Sequence, residues 1–182
     1  IATFSKAVQN FTALRPVTNP CVIQAAAGTY SGSFVVPDYQ AQADGYLTIR
    51  GAATATVVTT PTTIIDCTGL VVNAGVDVGR GNKVKLQDLL IQKMDGAIDQ
   101  DCIQAGIGTV VWLQNCQSLD ATARSLLVLD RASQGYVQGG GKDGGKIGID
   151  CYAGSTLTVG YNATSTANGT FVRNTTLAGF YC

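Results

Sequence analysis

After its first twenty residues the chain settles into one texture. Apolar runs of three to six residues alternate with Gly, Asn, Asp and Ser: CVIQAA, SFVV, YLTIRG, TVVT, TIID, LVV, VKLQDLLIQ, TVVWLQN, SLLVLD, GYVQG, STLTVG and TFVRN. The runs are rich in β-branched residues and too short for helices, so they predict strands. The opening segment differs. IATFSKAVQNFT places Phe4, Val8 and Phe11 at helical intervals, and Pro16 and Pro20 follow as stop signals. A short amphipathic helix followed by a linker is expected over residues 1–20.

Corresponding runs recur about every 20 to 28 residues. Three blocks show the recurrence: GVDVGRGNKVKLQDLLIQKMD, GAIDQDCIQAGIGTVVWLQNCQSLD and GKIGIDCYAGSTLTVGYNATST. Each opens on Gly with a short apolar strand, passes a Gly turn and enters a second strand. Units of this size cannot close a core alone and do so by stacking, which predicts a β-solenoid. A β-sandwich favours hairpin turns, but the sequence holds a single Asn-Gly, at Asn168-Gly169. The expectation is one all-β domain over 1–182: a cap helix and linker over 1–20, then stacked coils over 21–182, about six or seven in number.

Composition narrows the chemistry. The 182 residues are 46% hydrophobic and 13% charged, with 12 basic and 12 acidic residues in balance. No basic tract marks a nucleic-acid partner, and no apolar run is long enough for a membrane span. All acidic residues are Asp, and His is absent. That removes Ser-His-Asp and Cys-His nucleophiles and His-ligated zinc. The six cysteines, Cys21, Cys67, Cys102, Cys116, Cys151 and Cys182, never approach CxxC spacing. Their even, dispersed count predicts disulfides in an oxidising compartment. Four sequons, at Asn10, Asn162, Asn168 and Asn174, predict N-glycosylation and an extracellular or surface address. The chain begins at Ile1 with no signal-peptide pattern, which reads as a processed chain or a fragment.

CVIQAAAGTYSGSFVVP followed by YLTIRGAATATVV resembles the start of right-handed parallel β-helix proteins of the pectin-lyase-like superfamily. The resemblance covers residues 1–60 and implies a helix capping the open end of the solenoid, then coils of about three strands each. It does not carry catalytic residues across. LQNCQSLDATARSLLV keeps Asn115 and Cys116 of the pectinesterase pattern, but Leu119-Asp120-Ala121-Thr122 stands where Gln-Asp-Thr belongs. Nothing matches Asp-Phe-Ile-Phe-Gly. Polygalacturonases need Gly-His-Gly, which a chain without His lacks. Asp99, Asp101 and Asp120 with Arg124 are the one lyase-like set that can be assembled, its spacing matches no such motif, and Asp99 and Asp101 read as solvated turn residues.

QGGGKDGGK (138–146) lacks the GxxxxGK[ST] pattern and reads as a projecting loop. The triplet Ile-Asp-Cys at 65–67 and 149–151, with a looser copy at Asp101-Cys102, reads as a coil marker: Ile inward, Asp at a turn, Cys bridging or packing between coils at comparable corners. Trp112 and the seven tyrosines are candidate sugar-stacking residues, with the inward or outward direction of Trp112 left open by the alternation. No catalytic residue, metal or cofactor is assigned. The expected role is a non-enzymatic structural subunit of an extracellular appendage, sheath or filament, forming a homo-oligomer or polymer through β-helix ends or faces. Leu177, Phe180 and Tyr181 near an open end motivate that reading. The alternatives are a polysaccharide-active enzyme and a carbohydrate-binding adhesin or virion fibre domain with glycan contact.

Overall fold

The computed structural model describes residues 3–12, 20–38, 46–53, 60–70, 73–92, 100–118, 125–142, 147–160, 164–165, 170–174 and 179–181. Side chains are described for all of these except 12, 140–142, 147 and those beyond 160. Helix α1 (Phe4–Thr12) forms where the apolar spacing predicts it. Thr3 caps its first turn, accepting from Lys6 N–H at 3.2 Å through Oγ1. Phe4 and Val8 are buried and Phe11 packs on the same cluster. The Phe4 ring lies 5.4 Å from Phe34 and 4.9 Å from Tyr30, so the helix covers the apolar end of the first coil.

Coils then follow one another. The first holds β1 (Cys21–Gln24), β2 (Gly28–Ser31) and β3 (Phe34–Val36); the second β4 (Leu47–Arg50), β5 (Thr63–Asp66) and β6 (Ala74–Val78). The third holds β7 (Lys83–Gln87), β8 (Leu90–Gln92) and β9 (Asp101–Ala105). In the fourth and fifth, the first two strands fuse into β10 (Val110–Ser118) and β12 (Gln134–Lys142), followed by β11 (Leu127–Leu129) and β13 (Ile147–Cys151) respectively. The sixth holds β14 (Thr156–Val159), β15 (Thr164–Ser165) and β16 (Thr170–Asn174), and β17 (Gly179–Tyr181) starts another.

Every registered strand pair is parallel. One ladder runs β1-β4-β7-β10-β12-β14-β17, and a second sheet of six strands runs β3-β6-β9-β11-β13-β16. The third face, β2-β5-β8 and the distal halves of β10 and β12 with β15, joins the first because β10 and β12 pass through the corner unbroken. The architecture is a parallel β-helix with an N-terminal helix, as the sequence predicts. Along the first ladder Val84, Val111, Gly135, Leu157 and Phe180 are register partners, and their sequence steps fall inside the expected 20 to 28 residues. The step from Leu47 to Val84 is longer, because the second coil carries extra residues between strands. Inward columns such as Ile49-Leu86-Leu113-Val137 and Phe34-Val76-Ile103-Leu127-Ile149 are buried and form the core.

One corner repeats in four coils. Gly81, Gly108, Ala132 and Gly154 all have positive φ, between 58° and 74°. Asn82, Thr109, Ser133 and Ser155 follow them, fully buried, and each side chain donates to a backbone carbonyl of the same corner stack: Pro37 O at 3.1 Å, Gly79 O at 2.9 Å, Gly106 O at 2.7 Å and Tyr152 O at 2.5 Å. These bonds satisfy carbonyls that the turn would otherwise bury unpaired. The three blocks singled out in the sequence are three copies of this unit. The fourth, LVLDRASQG, escapes the pattern because Asp130 and Ala132 replace its glycines. An L-residue in the left-handed region is disfavoured by about 1–2 kcal/mol, partly offset in Ala-to-Gly exchange by the looser unfolded chain. Ala132→Gly is therefore expected to raise stability by about 0.5–1 kcal/mol, read as a higher urea midpoint at unchanged slope; a lower midpoint would show that the turn is not limited by backbone strain.

The QGGGKDGGK segment is not wholly a loop: residues 138–142 belong to β12, with Cys116, Gln117 and Ser118 paired to Gly140, Gly141 and Lys142. Residues 143–146 lie outside the described residues. Among the described residues, no helix is long and apolar enough to cross a membrane.

Candidate functional site

The cysteines correct an expectation. Cys21, Cys67, Cys102, Cys116 and Cys151 form no disulfides with one another. In a parallel stack a side chain meets the residue one coil away in its own column, and those partners are not cysteines. Cys21 pairs in register with Leu47, Cys116 with Gly140 and Cys151 with Leu129. Cys182 lies outside the described residues.

The Ile-Asp-Cys triplets are not equivalent corners either. Ile65 and Cys67 are buried and Asp66 serves a turn, accepting from Thr68 N–H at 3.0 Å. Asp150 instead sits mid-strand in β13, fully buried, with Ile149 and Cys151 on either side. Burial pushes the Cys116 thiol up to about 12 and those of Cys67 and Cys151 up to about 11, against an ordinary 9.0. These thiols are structural and inert. Unfolded thiols ionise first, so their contribution to stability is complete below pH 9.0 and is lost as pH rises towards 11 to 12. The urea midpoint is expected to fall over that window and to fall less in Cys116→Ala; equal slopes in both proteins would refute this origin.

The acidic candidates do not assemble a site. Asp101 is buried at the start of β9, accepting from the Ser125 hydroxyl, and is not the solvated turn residue the sequence predicts. Asp99, Asp120 and Arg124 lie outside the described residues. Among the described residues there is no group of three potential metal ligands. Asp77 has its carboxyl raised, first by burial and then by the neighbouring Asp38 charge. Of the sequon asparagines, Asn10 is exposed on α1 and Asn174 ends β16, while Asn162 and Asn168 lie outside the described residues.

The site that does emerge is on the outward face of the first ladder. Alternation sends Val84, Leu86, Val111 and Leu113 inward, which turns Lys85, Gln87, Trp112 and Gln114 outward. The parallel register then stacks two outward columns. One reads Thr48-Lys85-Trp112-Tyr136-Thr158, the other Gln24-Arg50-Gln87-Gln114-Gln138. The Trp112 direction left open by the sequence is thus outward. Its ring stacks on Tyr136 with centroids 5.7 Å apart and planes 15° from parallel, and Tyr46 lies against its other side at 6.1 Å, tilted by 54°.

These rings floor a groove of about 500 Å³, lined further by Lys85, Gln114, Gln138, Thr158 and Gly160. That volume lies in the ordinary range for small-ligand sites. Its polar groups are uncommitted: the side chains of Lys85, Gln114, Gln138, Tyr46, Tyr136 and Thr158 have no hydrogen-bond partner among the described residues. Other outward amides are spent within the protein. Gln24 donates to Gly51 O at 2.6 Å, and Gln87 donates to Asp88 Oδ2 at 3.1 Å. No carboxylate lines the groove among its described residues, and Lys85 is the one charge there. Sequence reasoning listed these aromatics without joining them. Trp112 and Tyr136 lie in different coils, and only the register brings them together.

No protein-family model matches the chain, and no curated protein sequence does. Among solved structures, the crystal structure of the pectin methylesterase from Aspergillus niger in deglycosylated form is similar over 97% of this chain and 82% of that one. The identity is 13% and the TM-score 0.50. The penultimately deglycosylated form of the same enzyme gives 14% identity, 96% and 82% coverage and a TM-score of 0.48. At this identity the likeness shows the fold alone, a parallel β-helix.

Proposed function

We propose that this protein is a non-catalytic carbohydrate-binding β-helix that holds a polysaccharide strand along the groove of its first ladder. The observation that carries this reading is the aromatic row Tyr46-Trp112-Tyr136 beside free amides and hydroxyls. Aromatic rings take the C–H faces of sugars, while Gln and Tyr exchange hydrogen bonds with sugar hydroxyls. Hydrolysis or elimination of a polysaccharide needs an acid and a base facing each other across the bond. The described groove residues supply neither a carboxylate pair nor an arginine, which favours binding over turnover.

The structural-subunit reading ranks second. Polymerisation through the ends needs an open coil, and α1 covers the first one with Phe4 and Val8, so growth there would have to displace the helix. In the binding reading, Trp112→Ala and Tyr136→Ala each weaken affinity for a soluble oligosaccharide by about 10- to 100-fold, corresponding to roughly 1.4–2.8 kcal/mol, at unchanged circular dichroism. Wild-type protein that retains no oligosaccharide in affinity electrophoresis across neutral, acidic and aminated glycans would refute the proposal. Polymer formation by the wild type without glycan binding would instead restore the structural reading.

A further inference from the structure

We infer that the groove selects sugars bearing an acetamido group, an inference that rests on the carbohydrate-binding reading and names its ligand class. The free polar groups decide among three chemistries. A polyuronate brings one carboxylate per sugar, and drawing these out of water calls for a cation on each rung. The groove offers Lys85 on one rung only; Arg50 lies two rungs from Gln114, and its Nε already donates to Gln24 Oε1. The rungs that follow carry Gln114 and Gln138, which are neutral.

A carboxamide matches an acetamide group for group. Each has an N–H to give and a C=O to accept; the acetamido amide is trans, with these groups on opposite sides, so one glutamine accepts from its N–H while a second donates to its C=O. Gln114 and Gln138 stand on neighbouring rungs, about 4.8 Å apart, with both amides uncommitted. The acetyl methyl needs an apolar seat beside the amide. Tyr136 stacks on Trp112 with one face, so its other face turns towards the next rung, where Thr158 and Gly160 stand.

Gly160 is the second, independent observation. Its φ is not in the left-handed region, and a Cβ there would meet Val137 O at 3.4 Å and the Gln138 stem at 3.6 Å, ordinary contacts. Neither backbone conformation nor close packing requires glycine at this position. What its missing side chain does is leave the Gln138 stem uncovered in the groove that Tyr136 also lines, which is where the methyl would sit. A plain glucan offers hydroxyls to the amides and leaves that space empty.

The test titrates the full chain calorimetrically with three tetrasaccharides: the β-1,4 tetramer of N-acetylglucosamine, cellotetraose, which replaces each acetamido group by a hydroxyl, and tetragalacturonate. The acetamido tetramer is expected to bind at least tenfold tighter than cellotetraose, with tetragalacturonate weakest. Gly160→Val and Gln138→Leu are each expected to weaken the acetamido tetramer more than cellotetraose, bringing the acetamido-to-cellotetraose ratio towards one; two variants guard against a folding defect in either. Cellotetraose binding as tightly as the acetamido tetramer, or tetragalacturonate binding tightest, overturns the inference while the sugar-binding reading stands, provided Trp112→Ala abolishes the binding seen. Failure of all three ligands to bind overturns both.

Discussion

Replacing Gly51 by alanine is expected to destabilise the fold by about 3 kcal/mol or more, enough to populate the unfolded chain at moderate temperature. Gly51 follows β4 at the corner between the first and third faces, and its N–H donates to Gln87 O of the next coil at 2.9 Å. A Cβ there would stand 2.1 Å from Asp88 O and 2.7 Å from Thr63 Cβ. The first of these is backbone in the neighbouring coil, so relief requires two coils to separate locally. That sacrifices ladder hydrogen bonds whose replacement by water is barred on the inner side. Gly69→Ala supplies the contrast. Its φ is 72°, but its Cβ would meet nothing within 4 Å, so only backbone strain of about 1–2 kcal/mol is expected. Chemical denaturation of the two variants side by side checks the claim, and equal losses would show that coil spacing is not what Gly51 protects.

Asn115→Ala is the second large loss, about 2–4 kcal/mol. Asn115 and Asp88 occupy the same corner in successive coils, both in the left-handed region at φ of 50° and 54°. Asn is one of the few side chains that tolerates this conformation; alanine is not. The Asn115 amide also donates to Asp88 Oδ1 at 2.9 Å and accepts from Gln117 Nε2 at 3.2 Å, deep inside the protein. Truncation removes a donor from a buried carboxylate as well as adding strain. Asn115→Gly separates the two causes: it relaxes the backbone but still deprives Asp88 of that donor. An intermediate loss is expected in thermal unfolding, and a glycine variant as stable as wild type would show that the amide contributes nothing.

The strands were legible because their physics is local. Short β-branched runs between turn residues, and the Phe4-Val8-Phe11 spacing, describe elements that form much as the residues alone dictate. Stacking was legible too, since no single unit of that length closes a core. Three corners were visible through Gly81, Gly108 and Gly154, and the one at Ala132 was hidden because strain there is carried by an ordinary residue. The cysteine expectation failed for a different reason. An even count speaks to parity, whereas bridging depends on which column each thiol occupies, and columns are a property of register. Asp150 failed likewise: next to Ile and Cys it looks like Asp66, yet one ends a strand and the other lies buried within one. The groove was least legible of all. Its parts come from coils separated by many residues, and a difference of one residue in register would point Trp112 into the core.

The two long strands have a mechanical consequence. β10 and β12 each run through the corner as one strand, paired on both sides of Asn115 and Gly139, and they carry Trp112, Gln114, Tyr136 and Gln138. A stack of coils frays from its ends, so amide protons in this central pair should be the slowest to exchange with solvent. Recognition groups mounted there keep their spacing before any ligand arrives. The ordering that loop-built sites undergo on association is here completed during folding, and affinity is spared that entropic loss.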